Sequence, residues 1–151
     1  MSDVAEIESV RRFRPELAAA IEGYHGLAAA KLDPALVELY RLRIAQIQRK
    51  LNGPIEPVPS TRAAGITEAQ LRDLAAWPDS DQFNAKQKAC LELAEYFCHT
   101  AQGVTDEHFE RLSQHLSAEQ ILTLTTGLWV CDASGRLANY LSSLGVHDEL
   151  V

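Results

Sequence analysis

The sequence predicts an all-α fold. Three observations carry that prediction. Apolar residues recur at helical steps of three and four, N-terminal capping signals return along the chain, and no stretch alternates apolar with polar residues for long enough to make a strand. The 151 residues are 46% hydrophobic and 23% charged, the balance of one ordinary globular domain. A chain of this length buries roughly 68–70% of its unfolded surface and holds a core without disulfides or a structural metal. We divide it into an N-terminal tail over 1–13 and one domain over 14–151, with about six helices.

The elements follow in order. A first helix is expected from Pro15, a favourable first-turn residue, to Lys31, with Gly23 and Gly26 weakening its middle. Asp33-Pro34 reads as an N-cap followed by proline at the first helical position. The helix after it carries Tyr40, Ile44, Ile47 and Leu51 as one buried stripe and is expected to stop near Asn52-Gly53. Prolines 54, 57 and 59 make GPIEPVPS an extended, stiff segment. Thr67 and Gln70 form a capping box with Ile66 and Leu71 as its staple, opening a helix that ends at Trp77-Pro78. Asn84 and Gln87 repeat the box before a helix through Cys98. Thr105 caps the next, with Val104 and Phe109 as its staple pair. Ser117 and Gln120 open the last, from Ala118 to about Leu144, where Gly145 stops it. That helix is apolar on two sides: Ile121, Leu124, Leu128 and Cys131 on one, Leu122, Trp129, Ala133 and Leu137 on the other. Such a helix belongs at the centre of a fold or at a subunit interface. Gly127, Gly135 and Ala138 are expected to let a neighbouring helix approach closely, and Trp77 and Trp129 to pack in the core or an interface.

Composition narrows the function classes. A net charge of −7 argues against a general electrostatic grip on nucleic acid or an anionic membrane. No apolar run approaches a membrane span, and the acidic start MSDVAEIESV lacks a secretory pattern, so a cytoplasmic protein is expected. Cys90, Cys98 and Cys131 show neither a zinc-ligand spacing nor a Cys-x-x-Cys pair. No glycine-rich phosphate loop, nucleophile elbow or dinucleotide motif is present, so no cofactor is expected. His108 and His115 stand two helical turns apart, too far for two ligands of one zinc, so no metal site is assigned.

The stretches DPALVELYRLRIAQIQ, GITEAQLRDLAAWPDSDQF and LSAEQILTLTTGLWV…GRLANYLSSLGV resemble the carboxymuconolactone decarboxylase family, in its AhpD-like alkylhydroperoxidase branch. The resemblance covers about residues 14 to 146 and is most specific at Glu38-x-x-Arg41-Leu42-Arg43 and at Ala76-Trp77 toward Phe83. It implies an all-helical fold, a homo-oligomer and peroxiredoxin-type activity. In the family that activity resides in a Cys-x-x-Cys-x-x-x-His motif, whose first thiol is activated at a helix N-terminus and whose second resolves it, with a glutamate and the histidine relaying protons. The glutamate aligns with Glu38, the cysteines fall on Lys50 and Gly53, and the histidine falls on Pro57; the family's later glycine arrives in register as Gly65. The frame is kept, and the motif's thiols and imidazole are replaced.

Glu38 is therefore the candidate catalytic residue or substrate anchor, with an ion pair to Arg41 at i+3 as the plainer reading. Arg41 and Arg43 are candidate carboxylate anchors. Lys50 is expected to cap a helix end, since twelve residues of straight helix separate it from Glu38 by roughly 18 Å. A relocated thiol would be Cys98, beside His99, or Cys131. Three functions stay open: a degenerate family member that binds a small organic ligand as a non-thiol homo-oligomer; a non-thiol lyase, decarboxylase or isomerase acting on a carboxylated substrate; and a peroxidase with a relocated thiol.

Overall fold

A computed structural model of the chain describes residues 10–12, 14–50 and 59–143. Seven α-helices lie wholly within these residues: α1 Pro15–Lys31, α2 Pro34–Gln48, α3 Pro59–Ala63, α4 Glu68–Asp73, α5 Ala85–His99, α6 Asp106–Ser113 and α7 Ala118–Ser143. Short 3-10 turns cover Leu74–Asp79 and Ala101–Gly103. The fold is all-α. Among the described residues, no helix is long and apolar enough to cross a membrane.

The capping signals are realised as hydrogen bonds. Asp33 accepts from the backbone N–H of Ala35 at 3.0 Å. Reciprocal boxes close at Thr67/Gln70, Asn84/Gln87 and Ser117/Gln120. Each satisfies two helix-end donors and fixes where its helix begins. At Thr105 the third residue of the box is a histidine. His108 Nδ1 accepts the Thr105 backbone N–H at 3.1 Å, and the ring is buried at 6% exposure with its edge against Tyr96.

Helix α2 is the hub. It packs against α5, α7 and α1, while α6 lies on α5 and α7. One core cluster joins α1, α2, α5, α6 and α7 through Ala28, Tyr40, Leu93, Leu112, Leu124 and Leu128. A second gathers Leu39, Leu42, Leu71, Trp77, Phe83 and Leu91 at the other side of α2. Burial on both sides explains why α2 has a weak amphipathic pattern, with polar Glu38 and Gln46 also inside.

Four boundaries differ from the expectation. Helix α2 stops at Gln48, before Asn52-Gly53, because Lys50 takes a left-handed conformation (φ 55) that ends the helical ladder. Lys50 N–H then reaches back to the Ile47 carbonyl at 3.1 Å. Ile47 is half-buried, and Leu51, the last member of the predicted stripe, lies outside the described residues. Within GPIEPVPS, Pro59 and Ser60 open α3 instead of extending, since a proline at the first helical position loses no bond. Residues 51–58 of that segment lie outside the described residues, as does Gly145. The helix opened by Thr67 leaves α geometry at Asp73, and a 3-10 turn with Ala76 off-helix (φ −113, ψ 29) carries it to Pro78. Val10, placed by sequence in a tail, is helical and buried.

The close approaches on α7 are real. A Cβ at Gly127 would stand 2.5 Å from the Tyr40 hydroxyl, and one at Gly135 would stand 2.0 Å from Gln48 Oε1. Of the two apolar sides of α7, Leu124, Leu128 and Cys131 are buried, whereas Leu122 and Trp129 are exposed, Trp129 at 71%. Among the described residues Trp129 therefore packs in no core, while Trp77 does.

Candidate functional site

Glu38 sits in the second turn of α2 at 3% exposure. Its Oε1 accepts from the Thr61 hydroxyl of α3 at 2.7 Å, and its Oε2 accepts from Arg41 at 3.2 Å. Thr61 is fully buried. A carboxylate this deep is tolerable only when paired and hydrogen-bonded, and here both conditions are met. The pairing with Arg41 is the one the i+3 spacing predicts. The Thr61 contact, 23 residues along the chain, has no local signal in the sequence.

Arg41 and Arg43 lie about 200° apart around α2, so they serve different faces. Arg41 continues past Glu38 to line a cavity of about 50 Å³, shared with His25, Ile44, Gln48, Cys131 and Ser134. Arg43 turns to the other side and binds Glu95, with Nε and Nη2 at 2.7 and 2.6 Å from Oε1. The Trp77 indole N–H donates to that same oxygen at 2.7 Å, and Arg43 Nη1 reaches Gln46 at 3.0 Å. That network ties α2, the 3-10 turn and α5 together. Of the two predicted anchors, Arg41 is the one at the cavity.

The cavity is framed by the close contact of α2 with α7. Gln48 Nε2 donates to both the carbonyl and the side chain of Asp132 at 2.9 Å, which pulls the end of α2 onto α7 over Gly135. The Ser134 hydroxyl donates to the Cys131 carbonyl at 3.3 Å. Sequence reasoning named Arg41 and Cys131 but missed His25 and Gln48. The Gln48–Asp132 link joins residues 84 apart, and His25 lies on a helix whose apolar pattern is weak.

The cysteines divide. Burial pushes the Cys90 thiol up to about 12. Cys98 is likewise pushed up to about 12, by burial first and then by the Asp132 carboxylate to which its thiol donates. A thiolate nucleophile needs the opposite shift. His99 closes α5 and is exposed, and the Cys98 backbone carbonyl accepts from Arg136 at 3.1 Å. Cys131, at 8% exposure, is the thiol at the cavity. Lys50 follows the C-terminus of α2, the negative end of its dipole, which would disfavour a thiolate placed there. Gly53 and Pro57 lie outside the described residues. Among the described residues, no group of three or more His, Cys, Asp or Glu is placed to hold a metal ion.

The profile of the carboxymuconolactone decarboxylase family matches residues 15–96, from the start of α1 to near the end of α5. The chain belongs to this family. The matched stretch contains Glu38, Arg41, Arg43 and Thr61, and ends before Cys98 and Cys131. The chain is also 30% identical over 88 residues to the uncharacterized protein YdfG of Bacillus subtilis (strain 168). That match takes in 58% of this chain, which spans about 60% of the length of this relative.

Proposed function

We propose that this carboxymuconolactone decarboxylase family protein binds a small oxyanion such as a short carboxylate, without dithiol peroxidase chemistry, as a cytoplasmic homo-oligomer built from one domain over residues 14–151. The observation that carries the reading is the cavity beside the Glu38–Arg41 pair, where a guanidinium and an imidazole meet an otherwise mostly apolar wall. An engineered cavity of roughly 150 Å³ admits benzene, so about 50 Å³ suits a ligand of only a few heavy atoms. Three cysteines with no Cys-x-x-Cys pair, two of them raised to about 12, speak against dithiol turnover. Cysteines outside any disulfide suit a reducing compartment. The exposed Leu122, Trp129 and Tyr140 along α7 suit a subunit interface.

The test is thermal melting of the purified protein with formate, acetate and glycolate. A saturable rise is expected, of about 2.7 kcal/mol at a hundredfold excess over Kd. It should disappear in Ala45→Val, which fills the cavity and leaves the Glu38–Arg41 pair intact. No rise with any of the three, or an undiminished rise in the variant, overturns the reading. A second reading, relocated thiol chemistry at Cys131, is favoured by that thiol's place in the cavity. Peroxide consumption with a dithiol reductant, lost in Cys131→Ser, would put it first.

A further inference from the structure

Helices α5 and α6 meet in a regular antiparallel register. Tyr96 lies against His108 with ring centroids 4.4 Å apart. One turn nearer the start of α5, Glu92 accepts from Arg111 at 3.0 Å. Residues four apart share a helix face, so the next position on α5 is Lys88, and His115, in the turn just after α6, lines the same groove. Both side chains line a groove of about 530 Å³, together with Gln114 and an apolar wall of Trp77, Ala85 and Ala89.

The first two positions are an aromatic contact and an ion pair, each self-sufficient. The third opposes an ammonium to an imidazole, and neither complements the other. The surroundings reinforce the imbalance. The first turn of α5 holds no acidic residue, although the helix dipole favours one there, and it holds Lys86 instead. Lys86 reaches toward Asp33 at 3.6 Å, and Lys88 donates to the neutral Pro78 carbonyl at 2.8 Å. The carboxylate lining the groove is Glu92, already answered by Arg111. The volume falls within the roughly 300–1,000 Å³ of small-molecule sites.

We propose that this groove binds an organic phosphomonoester, its phosphate bridging Lys88 and His115 and its apolar body lying on Ala85, Ala89 and Trp77. The N–H donors of Lys88, His115 and Gln114 suit the three terminal oxygens of a phosphate better than the two of a carboxylate. Arg111, Gln114 and His115 lie beyond residues 15–96, so the family match covers only the Trp77 and α5 side of this site. It also shares no residue with the cavity at Arg41.

The experiment is a fluorescence titration of the Trp129→Phe protein, in which Trp77 is the remaining tryptophan, with phenyl phosphate, inorganic phosphate and benzyl alcohol. Phenyl phosphate should give a saturable change at least tenfold tighter than either half-molecule. Lys88→Gln and His115→Gln, both away from the core, should each weaken it about tenfold with unchanged circular dichroism. Ala45→Val should leave it untouched, which separates this result from the fate of the cavity reading. No saturation, equal binding by inorganic phosphate or by benzyl alcohol, or no loss in Lys88→Gln would overturn the proposal.

Discussion

The contact of α2 with α7 at Gly127 makes a sharp stability prediction. Alanine is normally the better helix residue by about 1 kcal/mol, so a glycine in a 26-residue helix invites replacement. Here the new methyl would lie 2.5 Å from the Tyr40 hydroxyl and 3.2 Å from its Cζ. Tyr40 is fully buried at the centre of the larger core cluster and has no room to retreat. Overpacking of this kind costs about 1–3 kcal/mol. Set against the propensity gain, Gly127→Ala should lose about 1 kcal/mol net. Gly26→Ala is the matched control, because nothing lies within 4 Å of a Cβ there, and it should gain about 0.5–1 kcal/mol. Urea unfolding followed by helical circular dichroism reads both. The hydroxyl itself is the main obstacle, and it is buried without a hydrogen-bond partner among the described residues. Tyr40→Phe should therefore be close to neutral alone and should recover at least ~1 kcal/mol of the Gly127→Ala loss in the double variant. If Gly127→Ala stabilises as much as Gly26→Ala, or is equally harmful with phenylalanine at position 40, the packing argument is wrong.

Three further outcomes are expected. Lys50→Gly should raise stability by about 0.5–1 kcal/mol, because the left-handed backbone there strains any residue with a Cβ; the melting temperature reads it, at about 2–4 °C per kcal/mol. His108→Ala should lose about 1 kcal/mol as the α6 capping box opens, and His108→Gln should recover part of it by restoring the usual acceptor; equal losses would mean the ring matters only as core. The raised thiols of Cys90 and Cys98 set an alkaline limit. An unfolded thiol releases its proton near pH ~8.5, so their contribution is complete below that pH and is lost as pH climbs toward about 12. The urea midpoint should fall between pH 8.5 and 10.5, less steeply in Cys90→Ala, and a midpoint independent of pH would refute the assignment.

The helices and their starts were legible because capping boxes are local: Thr67, Asn84 and Ser117 each find a glutamine three residues on. The box at Thr105 was visible only by half, since an imidazole is an uncommon third member. Helix ends were less legible. The stop after Gln48 depends on a left-handed lysine, where composition pointed to the glycine and prolines beyond. Of the candidate site, the Glu38–Arg41 pair follows from i+3 spacing. Thr61, His25 and Gln48 become neighbours only through tertiary contacts, and no periodicity announces them. The same holds for Lys88 and His115, which meet at one groove only through the packing of α5 against the segment that follows α6.

The hydrogen bond from Thr61 to Glu38 has a consequence for how this scaffold tolerates change. It clips α3 to α2 from inside the core, and the positions where the family's motif would fall, 50, 53 and 57, all lie between the two clipped residues. The stretch is thus tethered at both ends by contacts it does not supply. Lengthening a tethered segment costs little, about 0.6 kcal/mol for each doubling. A change in the length of that segment therefore leaves the clip between α2 and α3 in place. A frame of this kind can shed one chemistry and acquire another by rewriting a dozen residues, which makes it a natural host for grafted sequences.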